Sequence, residues 1–135
     1  MQELCEKEIR ELHAFFEAWY QGAIANSDDA FRRLEHVLAP AFTLITSDGY
    51  TFTRDQVLSL LRNEYATKPD IKMWVDNVRL RYTADDVILT TYEEHGTTAD
   101  GERSTLITAL LCRHPERPNG LEWIHIHEVR LPSQS

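Results

Sequence analysis

Two histidines stand two residues apart near the C-terminus, in the run Leu121-Glu122-Trp123-Ile124-His125-Ile126-His127-Glu128. Side chains alternate along a strand, so the run predicts Trp123, His125, His127 and Val129 on one face. Residues i and i+2 of a strand lie about 6.7 Å apart at Cα, which lets both imidazoles converge on one ligand. Histidine titrates near neutrality, so a cavity-facing imidazole serves as general acid or base. His127 is therefore the expected catalytic residue, with His125 and Trp123 beside it as ligand contacts. The plainer counterpart is one buried, hydrogen-bonded histidine and one at a rim or a dimer contact.

The most polar strand segment is Tyr92-Glu93-Glu94-His95. Its alternation puts Thr90, Tyr92 and Glu94 on one face and Thr91, Glu93 and His95 on the other. Whichever face is concave offers a carboxylate, and a glutamate near a histidine orients its tautomer and raises its pKa, so Glu94, or Glu93 on the other face, is the expected carboxylate partner of His127. The plainer counterpart is a solvated strand end. Arg103 enters the next strand, where a guanidinium at a pocket mouth grips a carboxylate or other anion. Trp19, Tyr50, Tyr65 and Trp74 offer an aromatic wall and Tyr92 joins the expected ligand contacts, although aromatics at such spacings also serve simply as core. No third ligand has a recognisable spacing around the two histidines, so no metal site is expected. GxGxxG, Walker A, CxxC, HExxH and GxSxG are all missing from the sequence, and no cofactor is expected.

The elements that must position these residues follow from periodicity. Cys5, Ile9, Leu12, Phe16, Trp19 and Ala23 recur at helical spacing and predict a helix over 3–24. Ser27 is the expected N-cap of a second helix, with Asp28 and Asp29 at its positive end. That helix should carry Phe31, Leu34, Val37 and Leu38 inward and stop near Pro40. A short hairpin follows, with Asp48-Gly49 as its turn. Thr53-Arg54-Asp55-Gln56 reads as a capping box opening a third helix with Val57, Leu58, Leu61 and Tyr65 on one side. From Ile71 the period becomes two, which predicts strands at about 71–82, 86–96, 102–113 and 121–131. Short turn-rich links between them favour an antiparallel meander. Strands this long must twist and bend, and helices covering the concave face leave a cavity at the mouth.

Length and charge bound the function. The chain has 135 residues, which suits one α+β domain over 1–135. With 22 Asp plus Glu against 14 Lys plus Arg, the net charge is −8. That balance repels phosphate backbones and anionic membrane surfaces, so neither nucleic acid nor membrane is an expected partner. The longest mainly apolar uncharged stretch, 104–112, is far short of a span. The N-terminus is acidic and leads into an amphipathic helix rather than a secretory h-region. Cys5 and Cys112 suggest no disulfide framework and read as reduced, buried thiols, which makes the cytoplasm the expected location.

The order of elements resembles the nuclear-transport-factor-2-like (NTF2-like) superfamily over nearly the whole chain. Trp123 and His127 match the W-x-x-x-H pattern of the closing strand in the SnoaL-like and DUF4440 groups. Ser27-Asp28-Asp29 before a Phe/Leu helix and Phe42-Thr43 opening a strand fit the early half. The resemblance implies a cone of N-terminal helices on the concave face of a curved, mainly antiparallel sheet, and homodimers made through that sheet. It also implies a pocket for a small molecule. Ketosteroid isomerases of this superfamily take a carboxylate base from the strand after the second helix, where this chain has Leu44-Ile45-Thr46. They take a phenol from late in the first helix, where Tyr20 stands. Thr46 cannot act as a carboxylate base. The expected function is a small-molecule-binding domain with a largely apolar pocket, in which a histidine would carry cofactor-independent isomerase, dehydratase or hydrolase chemistry if the domain is an enzyme. The alternative is a non-catalytic dimeric binding or accessory module.

Overall fold

The computed structural model describes residues 1–132. Its first helix, α1 (Gln2–Gln21), buries Cys5, Ile9, Leu12, Phe15 and Trp19 along one stripe. It ends at Gly22, whose φ of 73° is left-handed and lets its N–H return to the Ala18 and Trp19 carbonyls. A Cβ there would also meet the Cβ of Ala66 at 2.7 Å, so glycine answers both demands. Helix α2 (Asp28–Glu35) starts on the Ser27 hydroxyl, which accepts from the Ala30 N–H at 3.1 Å. Helix α3 (Arg54–Asn63) starts on the full Thr53/Gln56 capping box.

The strands are β1 (Leu38–Ile45), β2 (Thr51–Thr53), β3 (Lys72–Ala84), β4 (Val87–Thr98), β5 (Gly101–Arg113) and β6 (Leu121–Arg130). They form one sheet in the order β2-β1-β6-β5-β4-β3. The last four strands run antiparallel, as expected, while β1 lies parallel to β6 and makes the sheet mixed. The second helix is shorter than its apolar spacing predicts. It ends at Glu35, and Leu38 begins β1 instead. Pro40 biases the residue before it toward extended backbone. The Trp123 N–H also bonds the Val37 carbonyl at 2.6 Å, which draws this stretch into the sheet.

One irregularity decides which residues of β6 face the helices. Leu111 pairs with Trp123, but Leu110 pairs with His125. Ile124 is therefore an unmatched bulge residue, and the alternation changes phase across it. Trp123, Ile126 and Glu128 face α1. His125, His127 and Val129 face the opposite, outer side, in register with Leu110, Thr108 and Leu106. The expected shared face of Trp123 with the two histidines is thereby corrected.

The core lies between the stripe of α1 and the inner sheet face. Phe15, Trp19, Phe31 and Tyr65 form an aromatic cluster with centroid separations from 4.8 to 6.3 Å. At the other end of this interface, Glu8 is 0% exposed. Its Oε1 accepts from Arg33 Nη2 at 2.8 Å and Asn119 Nδ2 at 2.9 Å. Its Oε2 accepts from Trp123 Nε1 at 3.0 Å and Arg33 Nη1 at 3.3 Å. A buried carboxylate is tolerated only when paired and hydrogen-bonded in this way.

Candidate functional site

A cavity of about 580 Å³ opens where the C-terminal end of α1 meets the ends of β3–β6. Its polar lining includes Tyr20, Lys68, Glu94, Arg103 and Glu128. Glu94 reaches it because the inner face of β4 runs Ile88, Thr90, Tyr92, Glu94, with the first three buried as core. Glu128 reaches it because the bulge at Ile124 turns it inward, opposite Ile107. Tyr20 comes from the last turn of α1, one ridge beyond His13 and Phe16. Arg103 stands at the exposed mouth, paired across the ladder with Gly96.

His13 anchors the group. Its Nδ1 lies 2.9 Å from the Ile9 carbonyl and its Nε2 lies 2.7 Å from Glu94 Oε2. Both neighbours are acceptors, so the ring is held between the helix backbone and the Glu94 carboxyl. Burial pushes the Glu94 carboxyl up, but the His13 hydrogen bond and charge, with Arg103 and His95, outweigh it and hold it below its ordinary value. Glu128 behaves oppositely. Burial, then the Glu94 charge, pushes it up to about 7 against the pull of Arg103, His13 and Arg130. Burial, followed by nearby carboxylates, also raises the Tyr20 phenol, which stays a neutral hydroxyl. One layer deeper, the Tyr92 ring stands edge-on to His13 at 5.3 Å. Its buried hydroxyl has no hydrogen-bond partner among the described residues.

The structure thus gathers Tyr20, Glu94 and Arg103 around one cavity, with Tyr92 behind them. It does not bring the other expected residues there. Trp19 is core, its Nε1 donating to the Leu61 carbonyl at 2.6 Å. Trp123 is fully buried and bonded to Glu8. Tyr50 is 66% exposed in the β1–β2 hairpin, where Gly49 completes the turn and leaves it in solvent. His125 meets Thr43 Oγ1 through Nδ1 at 2.6 Å on the outer face. His127 is exposed on that face, beside a shallow groove with Thr46 and Asp48. The two imidazoles are neighbours, 6.4 Å apart at their centroids, but outside the main cavity. The phase change at Ile124 is the reason. Among the described residues no three His, Cys, Asp or Glu side chains are gathered to hold a metal ion.

Sequence reasoning missed His13 and Glu128. A signal for His13 exists: Ile9, His13, Phe16 and Tyr20 are spaced four, three and four residues apart, one continuous ridge ending at the phenol. Glu128 gives no such signal, because strict alternation from Trp123 assigns it to the wrong side.

Known proteins similar to this chain fit this architecture. An NTF-2-like protein of unknown function from Pseudomonas aeruginosa superposes with a TM-score of 0.87 at 25% identity, covering 96% of this chain and 99% of that one. The CaMKII hub of S. rosetta superposes with a TM-score of 0.69 at 12% identity, covering 96% and 95%. In sequence, the chain is 26% identical over 127 residues to sucrose-phosphatase 1 of Nicotiana tabacum, covering 92% of this chain. It is 24% identical over 130 residues to the probable sucrose-phosphatase 3a of Arabidopsis thaliana, covering 95%. The chain spans 30% of the length of each of these curated relatives. The family model described as sucrose-6-phosphate phosphohydrolase C-terminal matches residues 5–132. With an NTF2-like fold and a match over nearly its whole length, the chain belongs to the sucrose-6-phosphate phosphohydrolase C-terminal family.

Proposed function

We propose that this domain binds a small polar molecule in the cavity between α1 and the sheet, and that Glu128 and the His13–Glu94 pair are its working groups. The observation that carries the reading is geometric: Glu94, held by His13 at 2.7 Å, and Glu128, turned inward past the bulge, face one cavity, where burial pushes the second up to about 7 and His13 holds the first down. Two acids pushed apart in this way are an acid/base assignment. At neutral pH Glu128 gives or takes a proton with little driving-force penalty, while Glu94 stays charged. The proton-transfer role expected of His127 passes to Glu128, with His13 as the group that positions Glu94. Isomerisation, dehydration or hydrolysis without a cofactor is the reaction class these residues support. The names of the curated relatives suggest sugars or sugar phosphates as the ligands to try first. The test is a sugar and metabolite screen by thermal shift on the wild type and on Glu128→Gln. A ligand that stabilises the wild type and loses most of that effect in the variant is the expected result. Hits that bind both proteins equally would remove the cavity from consideration.

A second reading, a dimeric accessory module, is favoured by the outer sheet face. Leu106 and Val129 lie exposed there in cross-strand register, and Trp74 stacks on His95 nearby at 5.4 Å. A second copy packed on this face would bury them. Sedimentation equilibrium at tens of micromolar (roughly an everyday working range) should report a dimer, and a monomer would end this reading. A cytoplasmic location stays part of the proposal, supported by the two free cysteines.

A further inference from the structure

The charges around the cavity separate one ligand chemistry from another. Four carboxyl groups line it, Asp70, Glu94, Asp100 and Glu128, against two cations, Lys68 and Arg103. The acids outnumber the cations two to one. The Arg103 charge acts on Glu94 and Glu128 together. The Lys68 ammonium stands 4.4 Å from the centroid of the Tyr20 ring. Asp70 and Asp100 are exposed at the rim, so an incoming anion meets negative charge before it meets Glu94. A phosphate monoester carries about −1.5 to −2 charges at neutral pH. It finds one guanidinium, Arg103, set among four carboxyl groups.

An ammonium ligand fits only half of the lining. It would satisfy the carboxylates but has no acceptor for the Tyr20 hydroxyl or the Arg103 guanidinium. A hydroxyl group is donor and acceptor at once. Vicinal hydroxyls donate to the two oxygens of Glu94 and accept from Tyr20, Arg103 and a protonated Glu128, with charge assistance at Glu94 and Arg103. The volume of about 580 Å³ lies within the usual range of small-molecule sites and admits one or two sugar rings. We infer that the cavity takes an uncharged, hydroxyl-rich ligand of the sugar or polyol class and discriminates against its phosphate ester. The inference rests on the cavity being the ligand site proposed above. If a phosphatase acts on the same sugar, this domain is matched to the product of that reaction, not to its substrate.

The experiment is an NMR titration of the full chain at neutral pH, following amides around Tyr20, Glu94 and Glu128. The probes are sucrose, maltose and myo-inositol, with sucrose 6-phosphate, glucose 6-phosphate and putrescine as counter-probes. A neutral probe should shift the cavity amides, and the phosphate esters should bind at least tenfold more weakly. That gap should narrow in Glu128→Gln, a partly exposed position where the amide is nearly isosteric. An ester that binds as tightly as any neutral sugar would overturn the inference, as would putrescine binding where the sugars do not. Both results would leave the cavity itself as a ligand site. If no probe and no member of the wider screen moves the cavity amides, the cavity reading falls with it.

Discussion

Carboxylates lie between α1 and the sheet at both ends of that interface, and their surroundings differ. At the closed end Glu8 accepts four hydrogen bonds from Arg33, Asn119 and Trp123, so both of its oxygens are satisfied. At the open end, among the described residues, Glu94 accepts from His13 alone and no side chain donates to Glu128. Glu8 ties α1, α2 and β6 together and has nothing left to offer a ligand. Glu94 and Glu128 keep lone pairs facing a cavity. The same residue type at one interface is thus scaffold where its partners are complete and chemistry where they are not.

The largest effect should come from breaking the closed end. Glu8→Ala leaves the Arg33 charge, the Asn119 amide and the Trp123 indole N–H without their common acceptor, and should cost about 3–5 kcal/mol. Urea denaturation gives the number. Ligand affinity per folded molecule should not change, because Glu8 is remote from the cavity. A loss below about 1 kcal/mol, within the range of surface changes, would erase the contrast between the two ends.

An intermediate effect is expected at the hinge of the open end. His13→Ala removes the only donor to Glu94 among the described residues and should cost about 1–3 kcal/mol. It should also change the pH dependence. In the wild type the Glu94 carboxyl is held below its ordinary value, so its contribution is present above the unfolded value and is lost as pH falls through the folded one. Without His13, burial is opposed only by the Arg103 and His95 charges, so the folded value rises and the slope of stability against pH through the mildly acidic range should shrink at this residue. Unlike Glu8→Ala, this variant should also weaken ligand binding. Denaturation curves from pH 3 to 7 test it, and an unchanged slope would show that His13 does not set the Glu94 charge.

These contrasts were unevenly legible in the sequence. The Ser27 cap, the Thr53/Gln56 box and the four long strands are local features, each set by residues close in the chain, and the structure has them. Tyr20, Glu94 and Arg103 were reachable because parity on β4 is uninterrupted from Ile88 to Glu94 and the end of α1 is regular. The faces of β6 were not. A bulge is an agreement between two strands about register, and nothing in Trp123-Ile124-His125 announces it. The family-like Trp/His pattern is present, but the structure uses its Trp as core and its histidines on the outside. Glu8 was hidden for a related reason. Its donors come from positions 33, 119 and 123, so its burial is a tertiary fact that helical spacing alone does not distinguish from a wet face.

The smallest expected effect is the one that separates the two acids of the open end. Glu128 faces Glu94 from β4, Arg103 from β5, His13 from α1 and Arg130 on its own strand. Its folded pKa is raised from 4.5 to about 7, so between those values the folded protein holds a proton that the unfolded chain has released. By linkage, its stabilising contribution is full below pH 4.5 and is lost as pH rises through 7, the opposite sign to Glu94. Glu128→Gln cannot ionise, so it should match the wild type near pH 4.5 and exceed it above pH 7. The gain should be about 1–2 kcal/mol once solvent screening of this partly exposed group is allowed for. The neighbouring His127→Ala, on the outer face, should leave this slope unchanged and move stability by no more than about 0.5 kcal/mol. Melting temperatures of both variants across pH 4.5–8 decide the matter. If the slope disappears in His127→Ala and persists in Glu128→Gln, the phase change at Ile124 is wrong and the histidine, not the carboxylate, faces the cavity.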